Sequence, residues 1–404
     1  MKRKVCILLA FLMILQCLFL FSCNKEKDEP GNIGERTLTD PDAIFYYAHP
    51  SATIYENFVF FPKNNAGVGY NFLDEIVPQS IGIYDKSVGT NNDNPFYYAD
   101  DASFILVDEE ASIKNDGLPI LYIVAKVVLH PNERETGADG SYVSYFKYKI
   151  IKYNTANNSA SIIAEDMPNS ILSFAKYGDT LIYGTSDADE GYNIHCVDTD
   201  GKNHRVFENP DKMACRIQTV YRDKMYFIDQ KTMEMYRINL SDFSSLEKIG
   251  KAYIITHAFA HSGYIYYANN QRREKLGEDP KLIFDLCRRS VDDISKEEVI
   301  IEKVTSGNFL DEKYYYFLLE NAKSFINPLG KTLYDDGWGK CYEFDPKSAE
   351  STLFYDLGTN YDFIVRFPIA KNDEYMLFNC TTNENPKFLK FVSLADGKEH
   401  LIPD

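Results

Sequence analysis

Short runs of alternating apolar and polar residues, separated by turn residues, recur along most of the chain. In residues 214–251 the apolar side chains stand at every second position of each run, as at Met225 and Phe227, which is the period of a β-strand. The turns that separate its four strands, named A to D in chain order, are 221–224, 230–234 and 240–245. A sheet of about 40 residues with apolar side chains on both faces cannot bury them alone. The pattern therefore predicts that this stretch stacks on copies of itself.

The C strand of each copy ends in Asp, Asn or Ser just before a turn. Seven positions follow this rule: Asp85, Asn154, Asp198, Asn239, Ser290, Asp345 and Ser393. Such side chains bond to the turn backbone, and the spacing from Asn154 onward is typical of propeller blades. We predict an all-β protein in which residues 43–404 form a β-propeller of seven four-stranded blades. The wide gap between Asp85 and Asn154 leaves six or eight blades open.

Two of these units resemble a known repeat. The matching segments are Tyr226–Asp229 with Met235–Asn239, and Leu181–Tyr183 with Ile194–Gly201. They resemble the YWTD-type repeat of the low-density-lipoprotein-receptor propellers, still more the bacterial propellers of unknown function related to that family, and more loosely the TolB propellers. The resemblance spans roughly residues 43–404 and implies the propeller fold. Because the Trp is absent from every unit, the receptor's ligands and calcium partners do not carry over.

The N-terminus has the pattern of a secretion signal. Basic residues at 2–4 precede an apolar run from Val5 to Phe21, and the segment ends in Leu-Phe-Ser-Cys23, which resembles the bacterial lipobox. We predict a signal peptide at 1–22, followed at 23–42 by a lipidated Cys23, carrying a palmitate-type acyl anchor, and a disordered, polar tether. The alternative is a retained membrane-spanning helix, which usually needs about 20 apolar residues.

The net charge of the chain limits the partners that we expect. The net charge is −17, and it becomes −20 once residues 1–22 are removed, because Lys2, Arg3 and Lys4 leave without any acid. An acidic chain repels phosphate backbones, so we expect no nucleic-acid partner.

Five cysteines remain in the propeller: Cys196, Cys215, Cys287, Cys341 and Cys380. Three of them fall in C strands of different units, which predicts buried thiols rather than a disulfide framework.

No motif for a metal, a cofactor or catalysis is recognised. No CxxC spacing occurs, and His257 and His261, four residues apart on a strand, stand about 13 Å from each other. We therefore predict no metal ligands, no cofactor and no catalytic residues.

The insertions between strands B and C indicate where a ligand binds. Six units have long B–C connections, whereas the A–B turns are mostly short. All B–C connections of a propeller emerge on one face, and insertions confined to one face usually mark the binding face. The longest of these B–C connections, residues 321–339, contains the only Trp of the chain.

Five residues on this face are candidate ligand contacts: Trp338, Tyr334, Phe325, Arg272 and Arg273. In the alternative interpretation, Trp338 folds back onto its own blade, and the basic patch of Arg272, Arg273 and Lys275 pairs with Asp335 and Asp336.

Taken together, these patterns predict a lipoprotein of the cell envelope, attached to a membrane on its extracytoplasmic side. We expect a non-enzymatic binding or scaffold propeller that holds an envelope protein or a glycan. The alternative is an extracytoplasmic carbohydrate-active enzyme with its site at the mouth of the central channel. A cluster of His, Asp or Glu side chains from several A strands would favour the enzyme.

Overall fold

The computed structural model describes the chain from Phe45 onward, with gaps. The described residues are 45–47, 53–56, 58–62, 80–85, 90–95, 101–128, 146–157, 159–167, 171–187, 191–207, 209, 212–254, 257–310, 312–326, 329–356, 365–381, 388–395 and 399–401. All of them belong to one compact unit, Asp42–Asp404. The predicted signal peptide, Cys23 and the tether lie outside the described residues and stay predictions.

The described residues form thirty strands, one short helix and one 3₁₀ turn. Strand β1 (Phe45–Tyr47) precedes the repeats. Unit 1 consists of β2 (Thr53–Tyr55), β3 (Phe58–Pro62), β4 (Ser80–Asp85) and β5 (Thr90–Pro95). Unit 2 consists of β6 (Asp101–Val107), helix α1 (Glu109–Lys114), β7 (Ile120–Val128), β8 (Phe146–Asn154) and β9 (Ser159–Met167).

Units 3 and 4 follow the same plan. Unit 3 consists of β10 (Ile171–Tyr177), β11 (Thr180–Asp187), β12 (Gly191–Asp198) and β13 (Arg205–Phe207). Unit 4 consists of β14 (Cys215–Tyr221), β15 (Lys224–Asp229), β16 (Glu234–Asn239) and β17 (Glu247–Lys251). The four strands and three turns of unit 4 are those predicted from the alternation of residues 214–251.

Units 5 and 6 share one long strand. Unit 5 consists of β18 (Phe259–His261), β19 (Tyr264–Leu276), β20 (Asp279–Ser290) and the first half of β21 (Glu297–Leu310). Unit 6 consists of the second half of β21, then β22 (Lys313–Leu318), the 3₁₀ turn (Leu319–Asn321), the hairpin β23 (Ser324–Ile326) and β24 (Thr332–Tyr334), β25 (Lys340–Asp345) and β26 (Glu350–Asp356). Val304 is the crossover, because it pairs with β20 and with β22.

Unit 7 closes the chain. It consists of β27 (Val365–Lys371), β28 (Tyr375–Thr381), β29 (Phe388–Ser393) and β30 (Glu399–Leu401). In the described residues, neighbouring strands of every unit pair antiparallel in chain order, which gives seven four-stranded units. The all-β propeller fold is thereby confirmed. The number of blades in the complete ring stays a prediction, although seven is the number that the sequence favours.

Apolar side chains fill the spaces between successive units. Phe104 and Val124 of unit 2 pack with Phe174 and Leu181 of unit 3. The same pattern joins the other neighbouring units. In the interface between units 6 and 7, Phe317 packs with Met376 and Phe378. Alternate side chains of each strand therefore point to opposite neighbours, which explains why both faces of every sheet are apolar.

Polar contacts link the inner strands around the ring. The side-chain oxygen Oε1 of Gln218 in unit 4 accepts a hydrogen bond from the backbone amide of Ala258, just before unit 5, at 3.0 Å. The Asn308 amide of unit 6 donates to the carbonyl of Pro368 in unit 7 at 3.1 Å. The last unit also meets the first, because the Asn372 amide donates to the carbonyl of Glu56 at 2.8 Å.

The C strands end where the sequence predicts. All seven marker residues, from Asp85 to Ser393, are the last residues of their strands. Their predicted role in the turn is visible at Asn154, which accepts from the amide of Ala156 at 2.8 Å, and at Asp345, which accepts from the amide of Lys347 at 2.8 Å. The five propeller cysteines are buried thiols rather than disulfide partners, as expected.

Two elements depart from the predicted pattern. Helix α1 lies between the A and B strands of unit 2, so one insertion stands on the face opposite the B–C connections. Strand β1 pairs antiparallel with the inner edge of β10, the A strand of unit 3, with Phe45 opposite Tyr177. Because A strands surround the axis of a propeller, β1 lies within the central channel.

Candidate functional site

The B–C face was predicted to carry the binding surface, and two of its insertions are described. Those of units 5 and 6 are described, apart from residues 327–328, whereas residues 63–79, 129–145, 188–190 and 382–387 of the other predicted insertions lie outside the described residues. Both described insertions are β-hairpins rather than irregular loops. Hydrogen-bonded backbone makes such insertions stiffer than open loops of the same length.

The first hairpin is an extension of β19 and β20 beyond the blade. After an irregularity at Asn269–Arg272 the two strands resume pairing, with Arg273 opposite Leu282 and Leu276 opposite Asp279. Asp285, which is 6% exposed, anchors the irregularity. Its carboxylate accepts from the Arg272 guanidinium and from the Asn270 amide, each at 3.1 Å.

The second hairpin, β23–β24, is held at its base by Asp335. One carboxylate oxygen of this buried residue accepts from the amide of Lys323 at 2.9 Å and from the amide of Gly337 at 2.8 Å. Gly337 has a φ of +83°, and a Cβ at this position would lie 2.2 Å from the carbonyl oxygen of Leu318. A glycine is therefore needed for the chain to pass this closely over the end of β22.

Three contacts join the two hairpins into one projecting element. The amide of Tyr334 donates to Asp279 at 2.9 Å. The Lys281 ammonium lies 3.4 Å from Asp279 and 3.2 Å from Asp336. Gly277 lies against the ring of Tyr334, where a Cβ would come within 3.6 Å of a ring carbon. We call residues 272–283, 324–326 and 329–336 together the arm.

The carboxylates of the arm are in unlike electrostatic environments. The hydrogen bond from the Tyr334 amide, aided by the charge of Lys281, lowers the pKa of Asp279 below its usual value. Burial raises the pKa of Asp336, and the nearby Lys281 only partly offsets this effect. Lys281 therefore pairs with both carboxylates, and the surroundings favour the charged form at Asp279 but not at Asp336.

The structure places the predicted ligand contacts unequally. Trp338 is half-buried against the interface of units 6 and 7, and its Nε1 donates to Ser306 at 3.3 Å, which is the fold-back arrangement. Phe325 and Tyr334 are half-buried in the arm, and Arg273 is exposed on it. A ligand-binding role for these residues stays a prediction.

The pairing expected for the basic residues is wrong in one detail. Arg272 pairs with Asp285 of its own hairpin, 3.1 Å away, and Lys281 is the residue that pairs with Asp336. The reason is the irregularity in β19, which turns Arg272 back toward β20. A kink of this kind is set by three-dimensional pairing and leaves no clear pattern in the sequence.

Sequence reasoning missed the most exposed apolar residues of the arm. Ile326 is 73% and Leu329 is 90% exposed, on either side of the tip of the β23–β24 hairpin, and Leu282 on the other hairpin is 41% exposed. The available signal was the pair of aliphatic residues in segment 323–332, which a hairpin exposed to solvent would be expected to replace by polar ones.

The described part of the chain contains neither a metal-binding group of three or more His, Cys, Asp or Glu side chains nor a helix that could span a membrane. No group of three or more His, Cys, Asp or Glu side chains there is arranged to hold a metal ion. None of the helices in those same residues is both long enough and apolar enough to cross a bilayer.

Known proteins resemble this chain in structure only. No family model and no curated protein sequence matches it. The β-propeller domain of the Trilobed protease from Pyrococcus furiosus is 12% identical, with a TM-score of 0.50 over 89% of this chain and 98% of that one. The Pyrococcus horikoshii acylaminoacyl peptidase gives a TM-score of 0.49 at 14% identity over 90% of this chain, which spans 53% of that protein. TolB from Acinetobacter baumannii gives 0.38 at 13% identity, over 81% of this chain and 76% of that one.

At these identities the likeness concerns the fold, and this chain is a β-propeller. The Trilobed protease domain has an open Velcro topology. In the described strands of this chain, unit 1 uses only β2–β5 and unit 7 only β27–β30. Contact between the ends of the ring therefore depends on packing and on bonds such as that from Asn372 to Glu56.

Proposed function

We propose that the chain is a lipid-anchored binding propeller of the bacterial cell envelope that holds a protein partner through the tip of the arm. The observation that carries this proposal is the exposure of Ile326 and Leu329, 73% and 90%, at the end of a hairpin whose base is fixed by buried hydrogen bonds. Single exposed apolar residues are common on protein surfaces, but three on one projecting element favour an interaction site.

The bracing of the arm supports a binding role. Ordering a flexible loop costs free energy on association, and a hairpin that is already ordered avoids this cost. Asp335 at its base and the contacts of Asp279 and Lys281 hold the tip in place before any partner arrives. The described strands of this hairpin, with Ile326 at the end of β23, are therefore held in position before a partner binds.

The chemistry of the tip favours a protein over a glycan. Sugars stack on exposed aromatic faces, whereas aliphatic side chains fit apolar grooves on proteins. Trp338 is turned toward Ser306, and Phe325 and Tyr334 are half-buried, while Ile326 and Leu329 are open to solvent. Glycan binding is the outcome that the experiment below must separate from this one.

The envelope location rests on the N-terminal sequence. A basic segment, an apolar run and Leu-Phe-Ser-Cys23 support export and lipidation. A tether rich in charged residues, Pro and Gly would leave the propeller free to meet partners outside the cytoplasmic membrane.

Strand β1 weighs against a site in the channel. It runs along the inner edge of β10, so the chain itself occupies part of the space in which a carbohydrate-active enzyme of this fold would hold its substrate. The arm lies on the rim, away from this strand. The binding role is therefore the better supported of the two.

The test is capture of envelope proteins by the full chain, compared with glycan binding on an array. Replacing Ile326 and Leu329 by Ser should abolish capture of a partner that the wild-type chain retains. The matched control replaces Val299 and Leu353, which are 47% and 50% exposed on outer strands, by Ser, and should capture the partner normally. If both double variants lose capture of the partner equally, or both retain it, the arm is not the contact surface. If the chain binds a glycan and neither double replacement changes this binding, the ligand is a glycan and not a protein.

A further inference from the structure

A histidine cluster stands on unit 3, apart from the arm. The register of β11 and β12 sets Tyr183 opposite His195, and the C–D turn brings His204 beside them. His195 Nδ1 lies 3.2 Å from His204 Nε2, and the Tyr183 hydroxyl lies 3.2 Å from the same His204 nitrogen. The Thr185 hydroxyl lies 2.9 Å from His195 Nε2.

We propose that His195 Nδ1, His204 Nε2 and the Tyr183 hydroxyl bind a divalent transition-metal ion of the Zn²⁺ type. In a tetrahedral site with metal–nitrogen bonds of about 2.0–2.1 Å, two ligand atoms stand about 3.3 Å apart. Both separations measured from His204 Nε2 are close to this length. The His204 nitrogen therefore already lies at the spacing of two ligand atoms from each of the other two donors, and water would complete the site. This inference does not depend on the proposed function.

Thr185 gives His195 the tautomer that such a site needs. Metal-bound histidines usually donate their second ring nitrogen to an oxygen, which fixes the ring and leaves the other nitrogen free for the metal. If Nε2 of His195 donates to the Thr185 hydroxyl, Nδ1 is the nitrogen with a free lone pair. That Nδ1 is the atom facing His204.

The surroundings hold the rings and admit an ion. Tyr183 stacks on His195 with ring centroids 4.9 Å apart and planes 4° apart, and Tyr183 itself is 2% exposed. The turn that carries His204 is fixed by the Asn203 amide, which donates to Asp198 at 2.6 Å. His204 is exposed and His195 is half-buried, so an ion can reach the site from solvent.

The experiment titrates the purified, chelator-treated full chain with Zn²⁺ by calorimetry and with Co²⁺ by visible absorption. We expect one equivalent to bind, with the d–d bands of a tetrahedral cobalt site. His204→Ala and His195→Ala should each weaken binding at least tenfold, and Thr185→Val by about tenfold through the loss of ring positioning. Tyr183→Phe keeps the ring and should weaken binding several-fold.

The matched control is Lys202→Ala, which changes the same turn while leaving the three donor atoms intact. It should bind both ions as the wild type does. Because His204 is exposed, His204→Ala is expected to fold, which circular dichroism and thermal melting check. Absence of binding by the wild type, or binding that survives both histidine changes in folded protein, would overturn the site. Wild-type affinity in Tyr183→Phe would overturn the three-donor assignment.

Discussion

At the scale of single residues, two neighbouring aspartates have different roles: Asp335 is a buried hydrogen-bond acceptor, and Asp336 belongs to a partly exposed ion pair. Asp335 is buried and accepts from two backbone amides, whereas Asp336 next to it is 32% exposed and pairs with Lys281. The backbone path decides this difference, since only Asp335 points into the turn closed by Gly337.

Replacing each of these two aspartates in turn tests their roles. Asp335→Ala leaves the amides of Lys323 and Gly337 without their acceptor and should lower the free energy of unfolding by about 1–2 kcal/mol. Asp336→Asn should leave stability at pH 7 unchanged or raise it. Urea unfolding at several pH values measures both.

The sign for Asp336 follows from its raised pKa. The folded chain holds this proton more tightly than the unfolded chain, so wild-type stability falls as the pH rises through the two pKa values. The difference between wild type and Asp336→Asn should therefore shrink toward pH 4. A loss in Asp336→Asn as large as that in Asp335→Ala would contradict this account.

At the scale of elements, units 2 and 3 are joined by a buried ion pair. Lys176 of β10 lies 3.2 Å from Asp108, and the two side chains are 1% and 4% exposed. Asp108 also caps helix α1, because its carboxylate accepts from the amide of Ala111 at 3.1 Å. The helix that departs from the repeat thus supplies the partner for a buried charge on the neighbouring inner strand.

Breaking this pair should be costly. Lys176→Met leaves the Asp108 carboxylate buried without this cation and should lower the free energy of unfolding by about 3 kcal/mol. Adding Asp108→Asn should recover part of the loss, since Asn removes the charge and still caps the helix. The exposed pair Lys202–Asp200 provides the control, where Lys202→Ala should cost nothing measurable in chemical denaturation. Equal losses in the two lysine variants would refute the argument.

At the scale of the whole molecule, the first and last units of the propeller meet, and their described strands pair only within each unit. Unit 7 touches unit 1 through Asn372 and Glu56, and β1 lies inside the ring beside β10. Stability of such a ring comes from apolar packing between neighbours, which the clusters between units provide.

The membrane attachment of this ring is tested at Cys23. When the full chain is expressed in a bacterium fed alkyne-tagged palmitate, the wild type should incorporate the label and Cys23→Ser should not. Cys17→Ser, which changes a cysteine inside the apolar run, should label normally. Label retained by Cys23→Ser would remove the lipid anchor from the proposed function.

The sequence predicted local features well and long-range ones poorly. The ends of the C strands follow from Asp, Asn and Ser at turns, because turn chemistry acts over a few residues. The sequence left two placements of Trp338 open, and the strand pairing that brings Ser306 beside it decides for the fold-back. The pairing of Arg272 with Asp285 could not be predicted, because the two residues meet only after β19 and β20 pair.

Alternating polarity and turn residues by themselves determined the all-β class, the repeat and the strand boundaries of units such as β14–β17, since these are set by short-range preferences. Only the tertiary structure decided that β21 joins two units, that β1 lies against β10, and that Ile326 and Leu329 are the exposed side chains of the arm. It also decided that His204 faces His195. Each of these depends on which surfaces meet when the sheets stack, and such long-range packing leaves no periodic trace in the sequence.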